Sequence, residues 1–204
     1  MYKIAEYLGA KIADALHYDD EQKAVITYGL LAIIQFFIVI TLIIVFSAIL
    51  GTVVASLILS FSVSILRVNA GGAHLSSIGI CSLIGVIISV IMPTVFNMLN
   101  VNEIISPVMY LICNIILVLS LWVILLKAPV DTPNKPIVSE TKRKRLKKRS
   151  ITVVILYFAV VNLFIYFGFN IYAFCLIFGL TWQSFTMLRV GHTFLNFFEL
   201  RLKK

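Results

Sequence analysis

Long runs of apolar residues dominate the chain, and only short polar stretches separate them. The run from 25 to 66 carries no charged residue. It is about twice as long as the roughly 20 residues that one helix needs to cross a bilayer. We interpret this run as a helical hairpin that turns at 47–52, with Gly51 as the break. The pattern predicts six membrane-spanning helices in all, over residues 25–49, 52–66, 78–98, 108–126, 151–166 and 171–188.

The first 23 residues follow a different pattern, because their apolar residues lie on one helical stripe and most charges lie elsewhere. The stripe includes Ile4, Leu8, Ile12 and Leu16. This spacing predicts an amphipathic helix that either lies in the membrane interface or packs on the ends of the spans. We therefore expect an all-α fold, a polytopic membrane bundle of six transmembrane helices plus an N-terminal amphipathic helix over 1–23. Residues 1–204 form a single integral membrane domain in this interpretation.

Composition supports a membrane protein. Hydrophobic residues make up 61% of the chain and charged residues 13%, against about 25% charged in an average soluble domain. The mean hydropathy is +1.04. A water-soluble protein of this size could not cover so much apolar surface, so the net charge of +8 is interpreted first as a topology signal.

The positive charges fall on one side of the membrane if there are six spans. An even number of spans puts both termini on the same side, and all 17 basic residues then lie there with them. The only charge on the opposite side is Glu103. Since basic residues concentrate on the cytoplasmic side, we expect both termini and the 1–23 helix in the cytoplasm, and a multi-pass location in the cell membrane.

The densest basic cluster, residues 142–149, lies in a cytoplasmic loop predicted over 127–150. Such clusters usually fix topology and contact anionic lipid headgroups. Binding an acidic segment of a partner is a second role compatible with the first. Nucleic acid is not an expected partner, because no base-reading module accompanies the cluster.

A polar loop at 67–77 and the start of the next span contain the candidate chemistry. His74 and Cys81 are seven residues apart, which is about 10.5 Å along an unbroken α-helix and too far for a Cys–His hydrogen bond. Either the two residues do not interact, or the chain between them is not one helix. Three glycines and two serines in this stretch favour the break. Cys81 would then lie near a helix N-terminus and a histidine, which favour the nucleophilic thiolate.

The other candidates have simpler interpretations. Cys113 and Cys175 lie deep in apolar runs and are expected to pack there, while His17 and His192 are expected at helix ends or surfaces. An odd number of cysteines does not indicate a disulfide framework. No H-E-x-x-H motif is present, so neither a metal site nor a cofactor is expected.

Two stretches of the chain resemble the AgrB family, the membrane endopeptidases of Gram-positive quorum sensing. Arg67, the run Gly71-Gly72-Ala73-His74 and Cys81 closely resemble its R-x3-G-G-x-H-x6-C signature. The stretch 128–137, with its Pro-Asn-Lys-Pro sequence, resembles the family's later cytoplasmic loop. The resemblance covers nearly the whole chain, including the amphipathic N-terminus and the six apolar spans.

The resemblance implies a thiol protease in which Cys81 is the nucleophile and His74 its general base. Its substrate would be an AgrD-like propeptide, cut between a core and an acidic C-terminal tail. The core's own cysteine or serine then captures the acyl group and closes a thiolactone or lactone, the autoinducing peptide. Substrate binding or loop support is suggested for five further residues: Arg67, Gly71, Gly72, Asp131 and Lys135. For Arg67, a topology charge at the membrane end is an equal alternative.

Several points stay open at the level of the sequence. The residue that orients His74 could be any of four, Asn69, Ser76, Ser77 or Gln183, and the oxyanion partner is not assigned. The expected partners are the propeptide and membrane lipids; a homodimer is left open because no motif specifies an interface. The alternative functions are a small-solute or peptide transporter and a membrane scaffold without peptidase activity. Ion-coupled transport is disfavoured, because the predicted spans contain no Asp, Glu, Lys or Arg.

Overall fold

The computed structural model describes residues 2–72, 78–103, 106–131 and 139–202, and it is helical throughout these ranges apart from short connections. The expected all-α fold is confirmed. Within the described ranges, eight helices follow one another: α1 (Tyr2–Ala15), α2 (Asp20–Ile49), α3 (Val53–Ala70), α4 (Ile78–Met98), α5 (Pro107–Lys127), α6 (Glu140–Tyr166), α7 (Asn170–Thr186) and α8 (Arg189–Leu202).

Local sequence signals set several helix ends. Asp19 caps α2 by accepting from the backbone of Gln22, whose side chain accepts in return from the Asp19 backbone, a capping box. Ser106 caps α5, which then begins at Pro107, a residue suited to the first helical position. The predicted hairpin break is also present, since Gly51 has a φ of +70° between α2 and α3.

Five helices, α2 to α6, are long and apolar enough to cross a membrane. A sixth candidate is α7 together with α8 as far as Leu195, two segments that meet at a bend of 90°. The chain is therefore a multi-pass membrane protein. The helix α7 alone has 17 residues, about 25 Å at 1.5 Å per residue.

The helix bundle has two ends, which we call proximal and distal and define by one hydrogen bond at each. At the proximal end, the backbone N–H of Val130 after α5 donates to the carbonyl of Ala70 at the end of α3, over 2.9 Å. At the distal end, the side chain of Asn170 at the start of α7 donates to the carbonyl of Asn102 after α4, over 2.8 Å. Since α4 ends beside Asn102 at the distal end, the start of α4 lies at the proximal end.

The helix α7 occupies the centre of the bundle, because ten of its 17 residues are buried. The main core cluster joins α7 to α3, α5 and α6 through Leu180, Leu66, Leu117 and Val154. By contrast, only Ile43 and Ser47 are buried along the 30 residues of α2. The helix α2 therefore forms one side of the bundle and α7 its middle.

The amphipathic α1 packs on α2 with its small residues. Ala5, Gly9 and Ala13 are buried on this side, and a Cβ at Gly9 would overlap the Thr27 side chain of α2. The larger apolar side chains of α1, such as Ile4 and Tyr7, stay exposed at 57% and 59%. Both sequence interpretations of this helix thus have a counterpart, since one side packs on a span and the other is free to contact lipid.

Two predicted boundaries are corrected, and one helix had not been predicted. Residues 140–150, predicted as part of a loop, belong to α6, because Ser139 caps the helix and its basic residues are good helix formers. An ion pair between Glu140 and Lys144, one turn apart, adds to this start. The helix α3 continues to Ala70, which places Arg67 in its last turn rather than in a loop. The sequence interpretation did not predict α8.

Candidate active site

Cys81 is the fourth residue of α4 and lies in its first turn. Its thiol is free and half-buried, and it packs in a small cluster with Ile84 of α4, Trp182 of α7 and Leu195 of α8. The first backbone N–H groups of a helix have no partner within the helix, and the helix dipole makes this end partly positive. The position of Cys81 therefore offers N–H donors to an oxyanion that develops beside the thiol.

Two predicted site residues cannot be placed. His74 lies within 73–77 and Lys135 within 132–138, and both ranges are outside the described residues. The pairing of His74 with Cys81 stays a prediction. The structure does place both ends of the 73–77 segment, since α3 ends at Ala70 and α4 begins at Ile78.

The glycine pair makes close contacts that larger residues would prevent. Gly71 has a φ of +74° and forms an isolated parallel bridge with Val130, and a Cβ there would overlap the carbonyl oxygen of Val130. Gly72 has a φ of +139°, and a Cβ would lie 2.9 Å from both Gln183 Nε2 and Thr186 Oγ1. The absence of a side chain at both positions therefore allows residues 71–72 to approach α7 and the segment after α5.

Gln183 of α7 holds the glycine pair in place. Its side chain is fully buried at 0% exposure, and its Nε2 donates to the carbonyl oxygen of Gly71. Among the described residues, no group donates to the side-chain oxygen Oε1 of Gln183. The sequence interpretation included Gln183 only as one of four candidates to orient His74. A buried glutamine in an otherwise apolar helix was the available signal.

The last turns of α7 join the two parts of the site. Gln183 binds the start of the loop at Gly71, and the neighbouring Trp182 packs in the cluster that contains Cys81. Gly71 and Cys81, which lie on either side of residues 73–77, thus both contact the last turns of α7. This arrangement keeps the start of the loop and the thiol at fixed positions relative to each other.

Arg67 and Asp131 have separate surroundings. Arg67 is half-buried in the last turn of α3 and lines the cavity that also contains Cys81. Asp131 forms an ion pair with Arg143 of α6, with side chains 39% and 46% exposed. The structure therefore brings Arg67, but not this carboxylate, to the cavity lining.

A cavity of about 410 Å³ opens beside Cys81, between α2, α3 and α4. It extends from Cys81 to Ser89 along α4 and from Arg67 to Leu59 along α3. Each path covers eight residues, which is about 12 Å of helix. Across the cavity, Gln35 of α2 donates to the hydroxyl of Ser82 over 2.6 Å. This cavity was not predicted from the sequence, because its walls come from three separate helices.

The arrangement suits acyl transfer by a thiol. It combines a half-buried thiol at a helix N-terminus with an adjoining cavity, and the preceding Gly71 is bound by Gln183 of α7. Within the described ranges, no group of three or more His, Cys, Asp or Glu side chains is arranged to hold a metal ion.

Comparison with known proteins gives a consistent result. The model of the family described as AgrB, accessory gene regulator B, matches residues 1–187. A protein of Clostridium perfringens (strain 13 / Type A), provisionally named AgrB-like protein 2, is 32% identical over 200 residues, covering 95% of this chain and 94% of the relative. A second relative, from Clostridium perfringens (strain SM101 / Type A), is 31% identical with the same coverage. No solved structure matches the chain.

Proposed function

The chain belongs to the AgrB family of peptide quorum sensing, and from this premise we propose that it is a membrane-embedded cysteine endopeptidase. It cleaves the C-terminal tail from an AgrD-like propeptide through a thioester on Cys81 and so permits cyclisation of the remaining peptide. The observation that carries this proposal is the position of Cys81 in the first turn of α4, beside both a cavity and the α7 residues that hold the loop.

The reaction has two acyl transfers. The Cys81 thiolate attacks the scissile carbonyl, and the oxyanion is stabilised by the N–H groups of the first turn of α4. His74 takes the thiol proton and gives it to the leaving nitrogen, so the tail departs with a new amino group. The core's own thiol then attacks the thioester. The ring closes, and the proton of that thiol returns to Cys81.

A thiol nucleophile suits this sequence of steps for an energetic reason. Exchange of one thioester for another is close to thermoneutral, so the energy of the activated acyl group is kept until the ring forms. Hydrolysis would lose it, which is why a site that limits water and fixes the attacking thiol is needed. The apolar surroundings of Cys81, formed by Ile84, Trp182 and Leu195, provide such a site.

The proximal end faces the cytoplasm in this proposal. Basic residues concentrate there, as in the start of α6 at 142–149, and cytoplasmic segments of membrane proteins are enriched in Lys and Arg. A propeptide made in the cytoplasm reaches Cys81 directly from this side. Its acidic tail is attracted by the basic start of α6, an attraction that salt weakens.

The test is reconstitution of the full chain in lipid with synthetic propeptides, followed by mass spectrometry of the protein. Wild type is expected to carry the peptide's acyl group on Cys81 and to release the tail. Cys81→Ala should abolish both the adduct and the cleavage. The matched control is Cys113→Ala, a buried cysteine of α5 that packs in the core and should leave cleavage intact.

His74 needs its own variant. His74→Ala should keep the helical fold, measured by circular dichroism, and lose turnover. An adduct on another cysteine, undiminished cleavage by Cys81→Ala, or full turnover by His74→Ala would each contradict the assignment.

A further inference from the structure

The cavity beside Cys81 is larger than the thiol chemistry requires. Its volume of about 410 Å³ lies in the roughly 300–1,000 Å³ range of ligand pockets. We propose that it is an acyl-side binding pocket, which takes the apolar side chains of the propeptide that immediately precede the cleaved bond. The proposal rests on the proposed function, because it takes Cys81 as the nucleophile.

The wall formed by α4 leads directly away from the thiol. Cys81, Gly85 and Ser89 all line the cavity and are four residues apart, so they lie on one face of the helix. A Cβ built on Gly85 would meet no atom within 4 Å. The space one turn below the thiol is therefore open because this position has no side chain.

Three polar side chains of the lining already form hydrogen bonds within the protein, which favours an apolar occupant. Ser82 accepts a hydrogen bond from Gln35, and Ser64 donates to the carbonyl of Ser60 within its own helix, over 2.9 Å. Of the described residues that line the cavity, Arg67 alone carries a charge, and it lies at the Cys81 end. The remaining wall is largely aliphatic and aromatic. Away from Arg67, a charged segment such as an acidic tail would lose its hydration along a wall that offers it no charged side chain.

The volume of the cavity indicates that its occupant is a side chain and not a helix. One α-helical turn about 10 Å wide and 5.4 Å long fills about 420 Å³. A single turn would fill the cavity, so the cavity cannot enclose a membrane-lying leader helix of the propeptide. One or two apolar side chains do fit.

The two steps of the reaction decide which side of the cleaved bond uses the pocket. The tail leaves after the first step, whereas the acyl part stays bonded to Cys81 until the ring closes. A pocket adjoining the sulfur therefore has most effect if it holds the acyl part, because that part must remain fixed during both steps. Binding there would also limit access of water to the thioester.

The experiment fills the cavity and varies the substrate. Full-length protein in lipid vesicles is given two synthetic propeptides that differ only at the residue before the cleaved bond, Leu or Ala. Wild type should cleave the Leu peptide at least about tenfold better in kcat/KM, since pockets of this kind discriminate by about 10–200-fold. Gly85→Leu should remove most of this preference by lowering kcat/KM for the Leu peptide, and Gly85→Ala should give an intermediate result.

The matched control is Gly29→Leu on α2, where a Cβ also meets nothing within 4 Å and which is not part of the cavity lining. It should leave the preference unchanged. If Gly85→Leu lowers kcat/KM by the same factor for both peptides, or leaves both values unchanged, the preference for Leu is kept and the proposed pocket is wrong. An equal loss for both peptides is the result expected if a lipid chain occupies the cavity. A wild type that forms no acyl adduct with either peptide would overturn the proposed function, and the pocket with it. Normal cleavage without size dependence would remove the pocket alone.

Discussion

Gly71 and Gly72 allow the chain after α3 to pack closely against other segments at the proximal end. Gly71 lies against the carbonyl of Val130, and Gly72 lies against Gln183 and Thr186 of α7. Both have positive φ values, which side chains rarely tolerate. Both the backbone conformation and the close packing therefore require glycine at these two adjacent positions, which directly precede the segment that contains His74.

We expect Gly71→Ala to destabilise the protein by about 1–3 kcal/mol, because the new Cβ is strained at this φ and overlaps Val130. Cleavage should fall with it, since the loop is displaced. The control is Gly29→Ala, where a Cβ meets nothing within 4 Å and removal of a helical glycine is neutral or slightly stabilising. Thermal unfolding of the two variants in one detergent provides the measurement. Equal unfolding temperatures would contradict the close contact.

Gln183 permits a second test of the same anchor. Gln183→Leu removes the donor to the carbonyl of Gly71, and an unsatisfied buried group costs about 1–3 kcal/mol. We expect a lower unfolding temperature and a lower kcat. Thr181→Ala is the control, because this hydroxyl donates to the carbonyl of Ile177 within the same helix and its loss leaves no buried group unpaired. If the two variants behave alike, Gln183 does not hold the loop.

The sequence predicted the local roles of the site residues better than it predicted their contacts with distant residues. The glycines could be assigned to special backbone positions, and Cys81 to the start of a helix, from neighbours within a few residues. The contact of Gly71 with Gln183 joins positions 112 residues apart. No local pattern encodes such a pairing, because it depends on which helix lies at the centre of the bundle.

Among the helices, α8 contributes to the site, although it lies far from Cys81 along the sequence. After a bend of 90° it places Leu195, which is 5% exposed, against Ile80, Cys81, Ile84 and Trp182. The helix therefore covers one side of the thiol. The family match ends at residue 187, so this cover lies beyond the matched part of the chain.

We expect Leu195→Ala to reduce cleavage by exposing the Cys81 side of α4 to water, which lets hydrolysis compete with ring closure. The ratio of linear to cyclic product should rise, and a buried leucine truncation costs about 2–5 kcal/mol in a well-packed core. The control is Val190→Ala on the same helix, at a side chain that is 68% exposed. Mass spectrometry of the products distinguishes hydrolysis from cyclisation. An unchanged product ratio would exclude α8 as a cover.

Apolar periodicity predicted the spanning helices well but not the helices of mixed composition. The break at Gly51 and the extent of α4 agree with the structure, because charge-free segments between polar ones leave few alternatives. The start of α6 is strongly basic and α8 is amphipathic. Both resemble loop or surface sequence in hydropathy, although their residues form helices readily.

At the scale of the whole molecule, α7 determines how the two ends of the bundle are related. It contacts Asn102 at the distal end through Asn170 and contacts Gly71 at the proximal end through Gln183. It therefore runs the full distance between the ends, although its 17 residues span only about 25 Å. Its length is sufficient because neighbouring helices bury much of it, so lipid does not surround it.

Because α7 runs between the two ends of the bundle, we predict a membrane topology that differs from that of a protein with five spans. If α7 crosses the membrane, α8 lies on the same side as the start of α6, and Glu103 lies on the other side. Single cysteines at the exposed positions Thr193, Thr141 and Glu103 can be introduced into a Cys81→Ala background, in which Cys113 and Cys175 are buried. A thiol reagent that does not cross membranes should label Thr193→Cys and Thr141→Cys only from the cytoplasmic side and Glu103→Cys only from outside. Labelling of Thr193→Cys together with Glu103→Cys would mean that α7 turns back within the membrane, and the proximal end would then lose the contact between Gln183 and Gly71 on which the site depends.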